Sequence, residues 1–256
     1  MSYIERGNVL FRKSSRLLSV TETISFPEPD LQIVSIREKN LQFKRLFDIA
    51  FSLLMIVFVL SWLIPILAIL IKLDSKGPVF FVQKRVGAMG KVFYCFKLRT
   101  MTVNDQANVK QAELNDPRIT AFGKFLRLSC LDEFPQFLNV LLGNMSVVGP
   151  RPHMISDCRE FSKIVKHYNY RSLVKPGITG MAQVKGYRGE TIDYFDVFHR
   201  YKWDMFYVKN RSFKLDMRIL RLTITTTLSS LYSSLIDSRI RKKQNLYQFD
   251  GPEYLN

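Results

Sequence analysis

The chain has 256 residues, enough for one ordinary globular domain with a sizeable core plus membrane elements. Its 38 Lys and Arg against 22 Asp and Glu give a net charge of +16, which implies an anionic partner: nucleic acid, acidic lipid or a phosphorylated substrate. Three scattered cysteines, Cys95, Cys130 and Cys158, form no CxxC pair and match no metal-finger spacing, so they fit small buried side chains in a reducing compartment.

Residues 1–40 are polar and weakly periodic, broken by Pro27-Glu28-Pro29, and read as an N-terminal tail. Residues 41–73 are the membrane segment. From Ile49 to Ile71 there are 23 positions without a charge, enough to cross a bilayer as a helix. The run starts too late and is too long for a signal-peptide core, so it is expected to be retained. Lys44 and Arg45 precede it, and Lys72, Lys76, Lys84 and Arg85 follow, whereas a simple span gathers its cations at one end. Pro65 lies in the second half, where it removes a backbone donor and clashes with the preceding turn. These features suggest a re-entrant helix–break–helix with Pro65 at the break; an ordinary kinked span is the alternative. Seven basic residues and one acid, Asp74, lie between Lys72 and Met101. Charge beside an apolar run favours anionic membrane lipid as a partner, and no nucleic-acid motif accompanies it.

Lys76-Gly77-Pro78 is a turn, and strands at Val79–Val82 and Lys91–Leu98 flank Gly87 and Gly90, which predicts a hairpin. From Ala121 the pattern is mainly helical. Asp132 to Leu142 puts Phe134, Phe137, Leu138, Leu141 and Leu142 on one stripe, ended by Gly143-Asn144. Gly149-Pro150-Arg151-Pro152 is a rigid loop, since prolines restrict the backbone on both sides of Arg151. A helix over about Ser156–Arg171 precedes the loop Lys175–Gly180. Leu220, Ile224, Leu228, Leu231 and Leu235 then recur at helical spacing before Arg239, Arg241, Lys242 and Lys243. This amphipathic helix is expected to pack on the protein core, with a membrane surface as the second choice. The fold class is α+β, mainly helical, with a re-entrant membrane helix, a small antiparallel β element and interfacial amphipathic helices.

There is no P-loop, no dinucleotide GxGxxG, no GxSxG elbow and no HExxH. His153, His167 and His199 are not spaced with other metal ligands. The notable acids are adjacent, Asp132-Glu133. Ser129-x-x-Asp132 before an apolar helix also resembles a capping box, a purely structural role. The neighbourhood argues for chemistry: Arg127 precedes the pair, Arg151 follows, and Lys97 and Arg99 end the second strand. Acids among several cations beside a membrane suit a diphosphate and a divalent cation.

Six stretches occur in one order: Lys44-Arg45-Leu46-Phe47-Asp48, Lys72-Leu73-Asp74-Ser75-Lys76-Gly77-Pro78-Val79-Phe80-Phe81, Phe96-Lys97-Leu98-Arg99-Thr100-Met101, Leu131-Asp132-Glu133-Phe134-Pro135-Gln136, Val148-Gly149-Pro150-Arg151-Pro152 and Lys175-Pro176-Gly177-Ile178-Thr179-Gly180-Met181-Ala182-Gln183. Over about Phe43–Thr225 the chain thereby resembles the bacterial sugar transferases, the monotopic phosphoglycosyl transferases that begin polysaccharide assembly on polyprenyl phosphate. It departs in two places. Ile64 precedes Pro65 where the family usually has serine, and the 48 residues before the apolar run are too few for the multi-span N-terminal domain of larger members, so a compact form is expected.

The resemblance implies transfer of a sugar 1-phosphate from a UDP-sugar to polyprenyl (undecaprenyl) phosphate with release of UMP, initiating exopolysaccharide, capsule or O-antigen assembly. It implies Asp132 as nucleophile carrying a phosphosugar, Glu133 as its support and Mg²⁺ as cofactor, with Asp132 its ligand. Lys97, Arg99, Arg127, Arg151 and Gln183 are the implied substrate contacts. The enzyme would sit on the cytoplasmic face of the bacterial plasma membrane, with a catalytic domain at 74–215 and a C-terminal helix and basic tail at 216–256. Downstream glycosyltransferases are possible partners. Gly186-Tyr187-Arg188-Gly189-Glu190-Thr191, with His153, resembles members that transfer plain hexoses, and Arg188 and Glu190 would bond sugar hydroxyls. UDP-glucose is therefore the expected donor and UDP-galactose the second. A UDP-N-acetylhexosamine donor or a non-catalytic membrane scaffold are the alternatives.

Overall fold

The structure, a computed structural model, describes residues 41–105, 112–113, 116–188 and 194–248. The expected N-terminal tail and Glu190 lie outside these residues. The first elements are α1 (Leu41–Met55), a single π turn (Ile56–Leu60) and α2 (Ser61–Asp74), which together make one unbroken helix. The chain stays helical on both sides of Pro65, the residue at which the break was expected. Pro65 sits inside α2, and the irregular turn lies upstream of it. Proline lacks the N–H its own turn would donate and crowds the carbonyl four residues back. A widened turn relieves that crowding. Side chains supply donors beside it: Ser61 Oγ donates to Val57 O at 2.6 Å and Trp62 Nε1 to Phe58 O at 2.8 Å. The helix therefore stays continuous.

Gln42–Asp74 is long and apolar enough to cross a membrane, and only 17% of its most apolar stretch is buried in the protein. The buried residues Asp48, Ser52, Leu60, Leu67 and Ile71 fall on one stripe at helical spacing, while Leu53, Phe58, Trp62, Ile69 and Leu73 are exposed. Both ends of the helix are tied to the same globular unit. At the start, Arg45 donates to Val140 O (2.7 Å) and Leu141 O (3.0 Å), and Asp48 Oδ1 accepts from Ser146 Oγ (3.1 Å) and Val147 N (3.0 Å). At the far end, Arg99 donates to the carbonyls of Ile71 (3.3 Å) and Ser75 (2.7 Å) and to that of Lys76.

β1 (Phe80–Val86) and β2 (Val92–Leu98) form the expected antiparallel hairpin, from Phe80 opposite Leu98 to Val86 opposite Val92. Next come α3 (Ala121–Ser129), a 3₁₀ turn (Leu131–Glu133) and α4 (Gln136–Leu141). The stripe expected over Asp132–Leu142 holds only in part: Phe137 and Val140 are buried, but Leu138 and Leu142 are exposed. The 3₁₀ turn and Pro135, which starts α4, reset the helical phase. Gly143, with φ +84°, ends α4 in the left-handed conformation that glycine adopts without strain.

A second two-stranded sheet was not foreseen. β3 (Ser146–Val148) pairs in parallel with β4 (Gly177–Thr179). Gly149 and Gly177 cross so closely that a Cβ on either would overlap the other's backbone. This crossing brings the Pro-Arg-Pro loop against the Lys175–Gly180 loop.

The helix expected over Ser156–Arg171 is two elements, α5 (Ile155–Ile164) and a 3₁₀ stretch (Tyr168–Leu173), with His167 left-handed between them. The reversal lets Tyr168 fold onto Phe161, Val165 and His153. α6 (Met181–Val184), α7 (Tyr194–Asn210) and α8 (Phe213–Gln248) complete the chain. The apolar stripe of α8 packs on the core as expected only at its start, where Leu215 and Leu220 lie with Ile219 against it. Asp216, Ile219, Thr223 and Thr227 face the protein, while Ile224, Leu228, Tyr232 and Ile236 are exposed. Thr223 Oγ1 lies 2.6 Å from Thr179 Oγ1, so beyond Leu220 the threonine face docks.

Candidate active site

α3 begins at Thr120, whose side chain accepts from Gly123 N at 3.0 Å. It ends at Cys130, held at φ +63°, and this left-handed residue swings Leu131–Glu133 into their 3₁₀ turn. Ser129 is not a cap. Its hydroxyl donates back to Phe125 O (2.8 Å) and Leu126 O (3.2 Å), so the structural role open to Ser129 and Asp132 is not taken up. Asn139, fully buried in α4, then fixes the pair against the hairpin. It donates to Tyr94 O at 2.7 Å and accepts from Phe96 N at 2.9 Å. Those bonds bring Lys97 of β2 over Glu133.

Glu133 is clamped. Arg151 Nη2 lies 2.7 Å from Oε1 and Nη1 lies 3.1 Å from Oε2, a two-pronged pair. Lys97 Nζ lies 3.0 Å from Oε1, and Arg188 Nη2 is 3.8 Å from Oε2. Arg188 Nη1 also donates to Cys130 Sγ, which in turn lies 3.5 Å from Thr227 Oγ1 of α8.

Arg151 is itself aimed by its loop. Prolines on both sides supply no N–H, and four consecutive carbonyls are bonded from outside. Pro150 O accepts from Gly177 N (2.9 Å), Arg151 O from Arg171 Nη2 (2.7 Å), Pro152 O from Arg85 Nη1 (3.2 Å) and His153 O from Val86 N (3.0 Å). Arg171 is held in turn by buried Asp204, whose Oδ2 lies 2.6 Å from Nη2 and 2.9 Å from Nε.

The two adjacent carboxyls are pushed apart. Burial raises the Asp132 carboxyl above the usual carboxylate range, and the charge of Glu133 adds to the rise, outweighing Lys97, Arg188 and Arg127. Burial pushes Glu133 up too, but Arg151, Lys97 and Arg188 overcome it and hold the group well below that range. Asp132 Oδ1 is buried with no hydrogen-bond partner among the described residues. One carboxylate is thus fully committed to cations, and the other has an uncommitted oxygen.

The remaining sequence-derived candidates divide. Lys97, Arg151 and Arg188 join Glu133 in one cluster. Arg127 is part-buried beside Asp132, whose charge partly offsets the lowering that burial and Arg151 impose on its guanidinium. Arg99 does not join them; its guanidinium caps the C-terminal end of α2. Gln183 donates to Ile178 O at 3.2 Å, with its Oε1 buried and without a partner among the described residues. His153 is buried, its Nδ1 2.6 Å from Tyr168 OH; burial first, then Arg171, Arg200, Arg85 and Arg151, keep it well below the ordinary histidine range and neutral. Asn139, Cys130, Arg85, Arg171, Asp204 and Thr227 support the site and carried no sequence signal, because each acts through a contact distant in the chain.

The described residues thus combine one long apolar helix with a mainly helical unit in which a buried carboxylate pair is set among cations. Residues 39–230 match the family "Bacterial sugar transferase", and the chain belongs to it. It is 43% identical over 204 residues to the UDP-glucose:undecaprenyl-phosphate glucose-1-phosphate transferase of Xanthomonas campestris pv. campestris, covering 77% of this chain and 42% of that one. It is 44% identical over 195 residues to exopolysaccharide production protein PSS of Rhizobium leguminosarum bv. phaseoli, covering 74% and 97%. It is 42% identical over 163 residues to the UDP-N-acetylgalactosamine-undecaprenyl-phosphate N-acetylgalactosaminephosphotransferase of Aeromonas hydrophila, covering 63% and 38%. The chain therefore spans about two fifths of the Xanthomonas relative and nearly all of the Rhizobium one.

Proposed function

We propose that the chain transfers a hexose 1-phosphate from a UDP-sugar to polyprenyl phosphate, releasing UMP, through a phosphosugar held on Asp132. The observation that carries the reading is the division of labour between the two carboxyls: Glu133 clamped by Lys97 and Arg151, Asp132 with a free buried oxygen. A carboxylate oxygen of Asp132 bonds to the sugar-bearing phosphorus while the bond to the UMP oxygen breaks. The lipid phosphate then forms its own bond to that phosphorus and frees Asp132. The attacking groups are a carboxylate and a phosphate, so no strong base is needed and the scarcity of histidine costs nothing. The barrier is anion meeting anion, which the cations around Glu133 lower.

No group of three or more His, Cys, Asp or Glu able to hold a metal occurs among the described residues. Mg²⁺ is ordinarily held by one or two carboxylates together with substrate phosphates, and the unpartnered Asp132 Oδ1 fits that arrangement. When bound, the cation would neutralise the diphosphate of the donor.

The membrane reading is that α1–α2 enters the bilayer from one face and that both its ends stay on that face, the cytoplasmic one. A helix of 33 residues would be about 50 Å long if straight, yet both of its ends are bonded to one globular unit, which a transverse span would separate. The exposed stripe Ile224, Leu228, Tyr232 and Ile236 of α8 suits the same interface and its anionic lipid. Such a placement lets Asp132 meet both a water-borne donor and a lipid phosphate.

The test is intact mass. With Mg²⁺ and UDP-glucose but no lipid acceptor, the wild type gains one hexose phosphate and Asp132→Asn gains nothing; near-normal turnover by Asp132→Asn would overturn the covalent reading. Faster UMP release from a UDP-N-acetylhexosamine than from UDP-glucose or UDP-galactose would overturn the choice of sugar. Labelling of engineered cysteines at positions 40 and 76 in intact cells tests the topology, and external reagent reaching one end alone would establish a span.

A further inference from the structure

A cavity of about 330 Å³ lies where α1 leaves the globular unit, and it shares no residue with the Glu133 cluster. That volume is at the small end of ligand sites, about 300–1,000 Å³. Its walls carry Lys44, Arg45, Lys175 and Arg211 against one acid, Asp48, with Tyr207 alongside. Lys44 is neutralised by Asp216 at 2.6 Å. Asp48 is buried and its Oδ1 is taken by Ser146 and Val147. The charge of Asp48 offsets only one of the other three cations. Arg45 spends its donors on two carbonyls, which leave its charge intact. Neither Lys175 nor Arg211 has an acidic partner within 4 Å among the described residues, and Arg211 Nε is buried with no hydrogen bond. Like charges are drawn together here: a Cβ on Gly143 would lie 3.7 Å from Arg45 Nη2 and 3.9 Å from Lys175 Nζ. Partial desolvation and the Arg45 charge lower Lys175, outweighing the Asp48 charge that raises it.

We infer that this cavity binds the phosphate of an anionic lipid headgroup at the foot of the membrane helix. Lys175 and Arg211 give charge-assisted hydrogen bonds to the phosphate oxygens, and Arg45 adds its field. A phosphate ester there turns an unfavourable gathering of cations into a favourable one. The lipid source rests on the reading that α1–α2 is inserted at a bilayer face: Leu46, next to Arg45, and Ile49, one turn on, are exposed apolar side chains that an acyl chain would cover. A headgroup seated here would pin the helix start at interface depth, independently of catalysis.

The experiment uses the full chain in detergent with water-soluble probes: dihexanoyl-phosphatidylglycerol, dihexanoyl-phosphatidylcholine and inorganic phosphate, at matched ionic strength. Affinity is read from the concentration dependence of the melting temperature. Saturable binding of the phosphatidylglycerol, weakened at least tenfold in Lys175→Gln/Arg211→Gln and unchanged in the exposed control pair Lys209→Gln/Lys214→Gln, is the expected result. Lys175→Gln alone carries the test if the double variant does not fold, since Lys175 is exposed. No saturable binding, equal binding by the cavity variant, or an equal loss in the control pair would overturn the site. Inorganic phosphate or phosphatidylcholine binding as tightly would overturn the anionic-lipid source. Because no sugar nucleotide is present, failure here is distinct from failure to form the phosphosugar adduct.

Discussion

Arg151→Ala removes both prongs of the fork on Glu133, at 2.7 and 3.1 Å. The Glu133 side chain is 4% exposed and that of Arg151 22%, so water does not replace the lost partner well. Leaving one member of a buried ion pair alone costs about 3–5 kcal/mol. Lys97 remains 3.0 Å from Oε1, which places the expected loss at the lower end, about 3 kcal/mol. For a protein of this size the melting temperature then falls by roughly 6–12 °C. Arg151→Lys restores a point charge without the fork and is expected to regain part of the stability but little of the turnover. Thermal unfolding in detergent, run beside UMP release from UDP-glucose, separates the two effects. If Arg151→Ala melts with the wild type, or if Arg151→Lys works as well as arginine, the clamp is not what orders the site.

If Asp132 attacks as proposed, in its ionised form, the rate should fall on the acid side at a higher pH than an ordinary aspartate would give, because its carboxyl is raised. Glu133→Gln removes one of the two causes and moves that limb to lower pH while reducing the rate; a limb that stays put would show that the charge of Glu133 does not reach Asp132. Glu133 has the opposite sign. Its folded value is depressed, so it stabilises the fold above the ordinary carboxylate range, and that stability is lost as pH falls towards the folded value. Asp204→Asn leaves Arg171 an acceptor without a charge and loosens the bond from Arg171 to Arg151 O. It is expected to lower kcat on the order of tenfold to a hundredfold with KM nearly unchanged; equal losses in both would mean a merely structural role.

The hairpin was legible because Gly87 and Gly90 punctuate two apolar runs, and the carboxylate pair because acids among cations are conspicuous in any order. What was not legible has three physical causes. Phase is one: a 3₁₀ turn and a proline shift the α4 stripe, so Leu138 and Leu142 point outward. Degeneracy is another: Phe161, Val165 and Tyr168 lie on one face whether the chain stays helical or reverses at His167, so their spacing could not report the break. The third is competition between two faces of one helix. On α8 the apolar stripe promised a core-facing side, yet past Leu220 the threonine face has the Thr179 hydroxyl and the Cys130 thiol as partners, and Ile224 and Leu228 are left outside. Arg99 shows the same limit for the site. A cation ending a strand beside Lys97 reads as a phosphate contact, but bare carbonyls at the end of α2 reach it first.

Two neighbouring carboxyls in one buried turn cannot both be ionised cheaply, and the fold resolves this by giving one of them the ion pairs within 4 Å. Glu133 takes Arg151, Lys97 and the edge of Arg188, so its charge is settled before any substrate arrives. Asp132 gets burial and a like-charged neighbour instead, which leaves its ionised form high in free energy and therefore reactive. Environments that push paired titratable groups apart assign their roles. Reversing the assignment would require the Pro-Arg-Pro loop to aim elsewhere, and its four bonded carbonyls oppose that. On the proposed mechanism, the rigidity of that loop is thus what decides which carboxylate is left to attack.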